Sequence, residues 1–172
     1  MLTLIHGRID WVVSRIEDVC AIVAGCAVVA AMFLVSTDAI LRHLFAAPLT
    51  FQLHLTEFYL LVMMVLLGIS WGYRKGGTIQ IKLLLVVLPR RVMEPVIRVG
   101  LAVAAVYLLG LAWRGYLVFE RAWVEDEVVM GVVNWPVDLS WIWVPLGCGL
   151  LAIRLLVDAT APVLRPIGAA HE

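Results

Sequence analysis

Three charged side chains at the edges of apolar runs are the first candidates for chemistry in this sequence. Asp38 and Arg42 lie four residues apart, so they can pair on one face of a helix. Glu57 lies early in the next apolar run, where the positive end of a helix dipole helps to stabilise a carboxylate. Charges in or near apolar segments are costly, so they mark either an ion or substrate route or ion pairs that fix helix register. We favour the ion pairs, because none of these charges lies near the middle of a run.

No other combination of residues predicts a catalytic, cofactor or metal site. A haem-carrying helical bundle needs histidines that face each other inside its helices, whereas His43 and His54 flank the apolar runs. The three cysteines form no CxxC pair and no metal-ligand spacing, so we interpret them as small hydrophobic residues of the interior. The serines have no neighbouring base that would make them nucleophiles. We therefore predict that the chain is not an enzyme and carries no cofactor and no metal.

Four long apolar stretches hold these residues in place, and they make lipid the solvent of the chain. The 172 residues are 63% hydrophobic and 15% charged, and their mean hydropathy is +1.01, which is unlike water-soluble domains. Each stretch approaches the roughly 20 helical residues that cross a hydrocarbon core about 30 Å thick. The runs are apolar on every face, which excludes the alternating pattern of a membrane β-barrel.

We therefore predict an all-α integral membrane protein, a bundle of four transmembrane helices in a single domain of residues 1–172. The spans should cover about residues 17–43, 51–73, 97–120 and 138–158. Residues 79–96 are too short and too interrupted by Lys82, Pro89, Arg90 and Arg91 to cross the membrane. We interpret them as an amphipathic segment of one or two short helices lying in the interface. The alternative is an apolar loop packed under the bundle.

Basic residues are concentrated on one side of the predicted spans. Ten of the thirteen Lys and Arg precede the first span, connect the second to the third, or lie at the end of the fourth and beyond. The other side has three basic residues and the acidic run of residues 125–127. Because positive charge stays in the cytoplasm, both termini should be cytoplasmic. The basic residues form no dense patch, so we expect contacts with membrane lipid and no nucleic-acid partner.

The stretch from Pro48 to Leu84 resembles the signature region of the small membrane subunit of tripartite ATP-independent periplasmic (TRAP) transporters. In that family a basic residue closes helix 1, a short turn with a proline follows, and a Glu lies near the start of helix 2. A Gly follows within helix 2, and a basic turn with a Gly then leads to an apolar segment. The matching positions here are Arg42, Pro48, Glu57, Gly68, Arg74 and Gly77. The segment from Trp143 to Gly147 is similar to the family's fourth helix. One departure is that Thr78 and Gln80 occupy places where family members often carry a His and an acidic residue.

The resemblance implies a partner and not a reaction. Similar small subunits bind a large multi-span subunit that carries the substrate and sodium sites and moves as an elevator. A periplasmic substrate-binding protein delivers the substrate, typically an organic acid. The chain would then be a multi-pass protein of the bacterial inner membrane that scaffolds the large subunit and helps to dock the binding protein. The candidate structural or partner-contact residues are Asp38, Arg42, Glu57, Gly68, Arg74 and Gly77.

Other functions stay open at this point. The small four-span subunit of tripartite tricarboxylate transporters has a similar architecture. A membrane anchor subunit of a respiratory or redox complex would also show apolar helices with few polar residues. A small exporter that acts alone is a third alternative, and the missing charge at the middle of the spans argues against it.

Overall fold

Helices dominate the chain, as the sequence predicts. The computed structural model describes residues 2–45, 49, 51–77, 90–129 and 135–161. Its helices are α1 (Leu2–Phe45), α2 (Gln52–His54), a π-helical segment (Leu55–Leu60), α3 (Leu61–Arg74), α4 (Arg90–Val124), α5 (Asp138–Trp141) and α6 (Trp143–Ala159). A pair of two-residue strands, β1 (Val128–Val129) and β2 (Trp135–Pro136), lies between α4 and α5.

Four helices are long and apolar enough to cross a membrane, which confirms the predicted four-span architecture. These spans 1 to 4 are His6–Phe45, Gln52–Arg74, Met93–Val124 and Asp138–Ala159. Span 4 is central, since 33% of its apolar stretch is buried, against 11% for spans 1 and 2 and 6% for span 3. It packs on spans 2 and 3, and span 2 also packs on span 1. Within the described residues, spans 1 and 3 share no substantial contact.

The spans run alternately up and down, and side-chain contacts define two ends of the bundle. At the proximal end, where spans 1 and 3 begin, Arg74 of span 2 reaches Asp18 and Arg98 of span 3 reaches the carbonyl of Ala159. At the distal end, where spans 2 and 4 begin, the hydroxyl of Ser140 donates to the carbonyl of Phe58.

Two helices differ in extent from their predicted spans. α1 begins at Leu2, well before the predicted boundary near residue 17, and Asp10 in this additional part of the helix is paired with Arg154 of span 4. α4 begins at Arg90, so residues 90–96, predicted to be part of the interfacial segment, continue directly into span 3. Residues 78–89 of that segment lie outside the described residues. The cysteines are free, and Cys26 is exposed on the helix surface, which corrects its expected place in the interior.

Close packing of span 4 explains why it is the central helix. A side chain at Gly147 would place a Cβ 2.5 Å from the carbonyl oxygen of Leu66, so only glycine allows spans 2 and 4 to approach this closely. At Gly115 a Cβ would lie 2.7 Å from Val144. A small apolar core of Ala105, Leu151 and Leu155 fills the space between spans 3 and 4.

Candidate functional site

The predicted pair of Asp38 and Arg42 forms at the distal end of span 1. Arg42 Nη2 donates to Asp38 Oδ2 at 2.7 Å, and the other carboxylate oxygen accepts from the backbone N–H of Leu49 at 2.7 Å. Asp38 is therefore buried and ties the end of span 1 to the connection that follows, while the Arg42 side chain remains 66% exposed. The exposed guanidinium is available for contact with lipid headgroups or another protein.

Glu57 lies in the π-helical segment at the start of span 2. A π-helix places more than four residues in a turn and often marks functional sites. Glu57 is exposed and forms no ion pair within the described residues. Its neighbours are engaged, since Gln52 Nε2 donates to the Thr56 hydroxyl at 3.4 Å and the Tyr59 hydroxyl donates to the Pro136 carbonyl. The segment thus holds an unpaired carboxylate on the outer surface of the distal end.

The two glycines of the predicted set have different environments. A Cβ on Gly68 would lie 3.9 Å from the Cβ of Ala24, an ordinary contact, so Gly68 allows but does not require glycine where spans 1 and 2 meet. Gly77 follows Gly76, which has φ 77° and ends span 2. The N–H of Gly77 donates to the carbonyl of Gly72 at 2.9 Å, which completes a Schellman motif. The conformational need for glycine in this turn therefore falls on Gly76.

Arg74, the remaining predicted residue, belongs to a group of polar residues that the sequence interpretation missed. We call this group the proximal charge cluster. It joins spans 1, 2 and 4 and consists of Asp10, Ser14, Glu17, Asp18, Ser70, Arg74, Arg154 and Asp158. Glu17, Ser70 and Arg154 are completely buried.

Arg154 of span 4 is the contact that brings span 1 against span 4. Its Nη1 donates to Asp10 Oδ1 at 2.9 Å and to the Ser14 hydroxyl at 3.4 Å. Its Nε lies 3.6 Å from Glu17 Oε1 and 3.9 Å from Asp158 Oδ1. Neither Nε nor Nη2 makes a directed hydrogen bond to a described residue, so part of this attraction is purely electrostatic.

Arg74 and Ser70 approach Glu17 from span 2. The Ser70 hydroxyl donates to Glu17 Oε1 at 2.6 Å, and Arg74 Nε lies 3.1 Å from Glu17 Oε2. Arg74 Nε and Glu17 Oε2 do not have hydrogen-bond geometry, so their attraction is electrostatic and not a directed hydrogen bond. Arg74 also pairs with Asp18 and donates to the Ser14 carbonyl at 3.3 Å. Two guanidinium groups thus neutralise Glu17, one near each carboxylate oxygen, and such pairing is the condition for a carboxylate to remain buried.

A signal for the cluster was present in the sequence. Asp10, Ser14 and Glu17 are spaced by four and three residues, so they lie on one face of a helix that is apolar elsewhere. Arg154 lies near the end of span 4, where a basic residue could equally be a cytoplasmic anchor. Only contact between the two helices distinguishes a buried partner from an exposed anchor.

The chemistry available to these residues is structural. Both carboxylate oxygens of Glu17 face guanidinium groups, and the Ser70 hydroxyl that donates to Glu17 is completely buried. Within the described part of the chain, no group of three or more His, Cys, Asp or Glu residues could hold a metal ion. The cluster therefore fixes the positions of spans 1, 2 and 4, and the distal residues offer charges to the surface.

Comparison with known proteins identifies the family. The family described as tripartite ATP-independent periplasmic transporters, DctQ component, matches residues 31–164. The match includes the distal end of span 1, all of spans 2 to 4, and the positions of the predicted motif. No curated protein and no solved structure matches the chain. Because the family match covers most of the sequence, the chain belongs to the DctQ component family of tripartite ATP-independent periplasmic transporters, as the resemblance indicated.

Proposed function

We propose that this chain scaffolds the large, sodium-coupled elevator subunit of its transporter and helps to dock a periplasmic binding protein for uptake of an organic acid. The family match over residues 31–164 is the observation that carries this proposal. The chain would lie in the bacterial inner membrane with both termini in the cytoplasm, so that the distal end faces the periplasm. The excess of basic residues at the proximal end supports that orientation.

The packing of the spans supports a role as scaffold. Large apolar side chains are exposed along both outer helices, including Val29 and Phe33 of span 1 and Val103 and Val106 of span 3. Such surfaces can be covered by lipid or by the helices of a larger subunit. The buried charges, by contrast, are paired with one another at the proximal end, which suits a rigid element better than a moving one.

The distal residues are the proposed contacts. Glu57 and Arg42 are exposed charges at the same end, and neither is engaged with the proximal charge cluster. A basic group on a partner subunit would neutralise Glu57, and an acidic group would complement Arg42. Asp38 would then position Arg42, and Arg74 would maintain the fold of this subunit through the proximal charge cluster. Gly68 lies where spans 1 and 2 meet, and Gly77 lies in the turn that follows span 2.

The first experiment is a mild-detergent affinity purification of the chain from its native membranes, followed by mass spectrometry of the associated proteins. We expect a stoichiometric partner with about a dozen predicted spans. A partner that carries haem or flavin, with a Soret or flavin absorption band, would contradict the proposal and favour a redox anchor. A partner set typical of tripartite tricarboxylate transporters would contradict it as well.

The contact residues can be tested in the same complex. Arg42→Gln and Glu57→Gln should lower the yield of the large subunit and transport together, because each removes one interfacial charge. Glu120→Gln, an exposed carboxylate near the end of span 3, is the matched control and should leave both unchanged. A normal yield of complex with lost transport would instead place the residue in the transport cycle.

A further inference from the structure

The first turns of span 1 separate their charges by helix face. The acidic residues Asp10, Glu17 and Asp18 all pair with Arg74 or Arg154 of the proximal charge cluster. The basic residues Arg8 and Arg15 are exposed, and neither forms an ion pair within the described part of the chain. Asp10 and Glu17 lie on the inner face, whereas Asp18 is 46% exposed, lies three residues from Arg15 at the edge of the outer face, and is paired with Arg74.

The outer face is also apolar, in contrast to a helix in water. Val12, Ile16 and Val19 are 48%, 47% and 60% exposed, and Trp11 is 63% exposed. Arginine and tryptophan among exposed aliphatic residues are typical of a helix at the depth of lipid headgroups, with its aliphatic side chains among acyl chains. The proximal charge cluster keeps this face outward, because it holds the opposite face of α1 against spans 2 and 4.

The two arginines are arranged for a ligand at that depth. They are seven residues apart, two helical turns, and so lie on the same face about 10 Å apart along the axis. The guanidinium of Arg15 lies 5.7 Å from the centre of the Trp11 ring, one turn nearer the proximal end. Arg15 therefore extends from the apolar region towards the headgroups, as long basic side chains do at membrane boundaries.

We propose that Arg8, Trp11 and Arg15 form a binding site for the phosphate of an anionic phospholipid in the proximal leaflet. The two guanidinium groups bind the phosphate oxygens, Trp11 lies at the level of the glycerol backbone, and Val12 and Val19 contact the acyl chains. Charge complementarity selects an anionic lipid over a zwitterionic one, because Asp18, the exposed carboxylate beside this face, is already paired with Arg74. This inference does not depend on the proposed function.

The distal end of the bundle provides a matched control. Arg114 and Arg121 are also exposed, also seven residues apart on one helix, and also next to aromatic residues. Arg121, however, pairs with Glu125 at 3.3 Å, and residues 125–127 are all acidic. The distal pair therefore matches the proximal pair in residue type and spacing but lies in an acidic surrounding.

The test uses the full chain, with any subunits that remain bound, in nanodiscs of equal phosphatidylglycerol and phosphatidylcholine. Native mass spectrometry then counts the lipids of each class that stay attached. Arg8→Gln with Arg15→Gln should lower the preference for phosphatidylglycerol roughly 20- to 30-fold, from two basic groups near an anionic surface. Arg8→Lys with Arg15→Lys should retain most of the preference, and Arg114→Gln with Arg121→Gln should retain all of it.

Four results would overturn the site. The first is an unchanged lipid preference in the Arg8→Gln, Arg15→Gln variant with wild-type helicity by circular dichroism. The second is an equal loss in the distal variant, which would indicate a general effect of net charge. The third is loss of a bound protein subunit with lipid preference unchanged, which would make the face a protein interface. Displacement of phosphatidylglycerol by millimolar inorganic phosphate would also contradict the proposal, because the site would then recognise a free anion.

Discussion

At the scale of single residues, the completely buried guanidinium of Arg154 is the group whose burial most depends on its ion-pair partners. Its Nη1 reaches Asp10 and Ser14 on span 1, and its Nε lies between Glu17 and Asp158. Taking an arginine and a carboxylate out of water costs several kcal/mol each, so neither residue tolerates the loss of the other. Span 1 contacts span 4 much less than it contacts span 2, so these pairs define that interface.

Arg154→Met should lower the free energy of unfolding by about 3–5 kcal/mol, the usual cost of breaking a buried ion pair by removing one partner. The remaining Glu17 would keep Arg74 but lose its second guanidinium. Thermal unfolding in detergent, followed by tryptophan fluorescence, measures the change. Arg42→Met is the control, because the Arg42 side chain is 66% exposed and Asp38 keeps its hydrogen bond from the Leu49 N–H, so this pair is worth at most about 1 kcal/mol. Equal effects of the two substitutions would show that Arg154 is not a buried structural charge.

At the scale of elements, two helices end in the same way with different residues. Span 2 ends at Gly76 with φ 77°, and span 3 ends at Asp126 with φ 47°. In both motifs the next N–H donates to a carbonyl five residues earlier, from Gly77 to Gly72 and from Glu127 to Ala122. Glycine adopts this left-handed conformation without strain, whereas aspartate, which tolerates it better than most residues with a Cβ, adopts it at a small cost in free energy.

Opposite substitutions at these positions should therefore have opposite effects. Gly76→Ala should destabilise the protein by about 1 kcal/mol, and Asp126→Gly should stabilise it by a few tenths to about 1 kcal/mol. Gly72→Ala, within span 2 and with open space around its position, controls for the general effect of adding a methyl group to this helix. Unfolding midpoints that shift in the same direction for Gly76→Ala and Asp126→Gly would refute the assignment of both motifs.

The crossing of spans 2 and 4 leads to a second prediction at this scale. Gly147→Ala should destabilise the bundle by about 1–3 kcal/mol, because its Cβ would overlap the backbone oxygen of Leu66 and push the helices apart. Gly68→Ala is the matched control at the crossing of spans 1 and 2, where a Cβ fits at 3.9 Å. The control should be neutral or slightly stabilising, since alanine favours helix more than glycine by about 1 kcal/mol. The same unfolding assay separates the two, and a tolerated Gly147→Ala would contradict the close approach.

At the scale of the whole molecule, charge and packing divide the bundle into two different ends. The proximal end contains the buried cluster that fixes spans 1, 2 and 4. The distal end contains the exposed Glu57, the exposed guanidinium of Arg42 and the acidic residues that follow span 3. The paired charges of the proximal end and the exposed charges of the distal end are the features on which the proposed docking role rests.

The orientation of these ends can be measured directly. In a variant without the three native cysteines, Asp126→Cys should react with a membrane-impermeant maleimide added to intact cells, and Arg8→Cys should react only after lysis. This outcome follows from the basic proximal end and the positive-inside rule. Labelling of Arg8→Cys in intact cells would reverse the topology and place the proposed docking surface in the cytoplasm.

The sequence by itself determined the membrane environment, the predominantly helical class, the number of spans and the family. These follow from properties that are local along the chain: apolar length, charge placement, and the order of Arg42, Glu57, Gly68 and Arg74. The pair of Asp38 and Arg42 was also predictable, because both residues lie on one helix at a spacing of four.

Only the tertiary structure decided which charges are buried and which glycines are required. Glu17 and Arg154 are 137 positions apart in numbering, and no spacing rule connects residues on different helices. Gly147 and Gly68 both lie within apolar helical segments, so the sequence does not distinguish them. A Cβ at Gly147 would meet the backbone oxygen of Leu66, whereas a Cβ at Gly68 would meet the methyl group of Ala24. The local sequence pattern determines which residues form a membrane-spanning helix. The rotation of that helix about its axis and the identity of its neighbours depend on packing against the other spans. The proximal charge cluster therefore forms only when spans 1, 2 and 4 pack together, and no single helix predicts it.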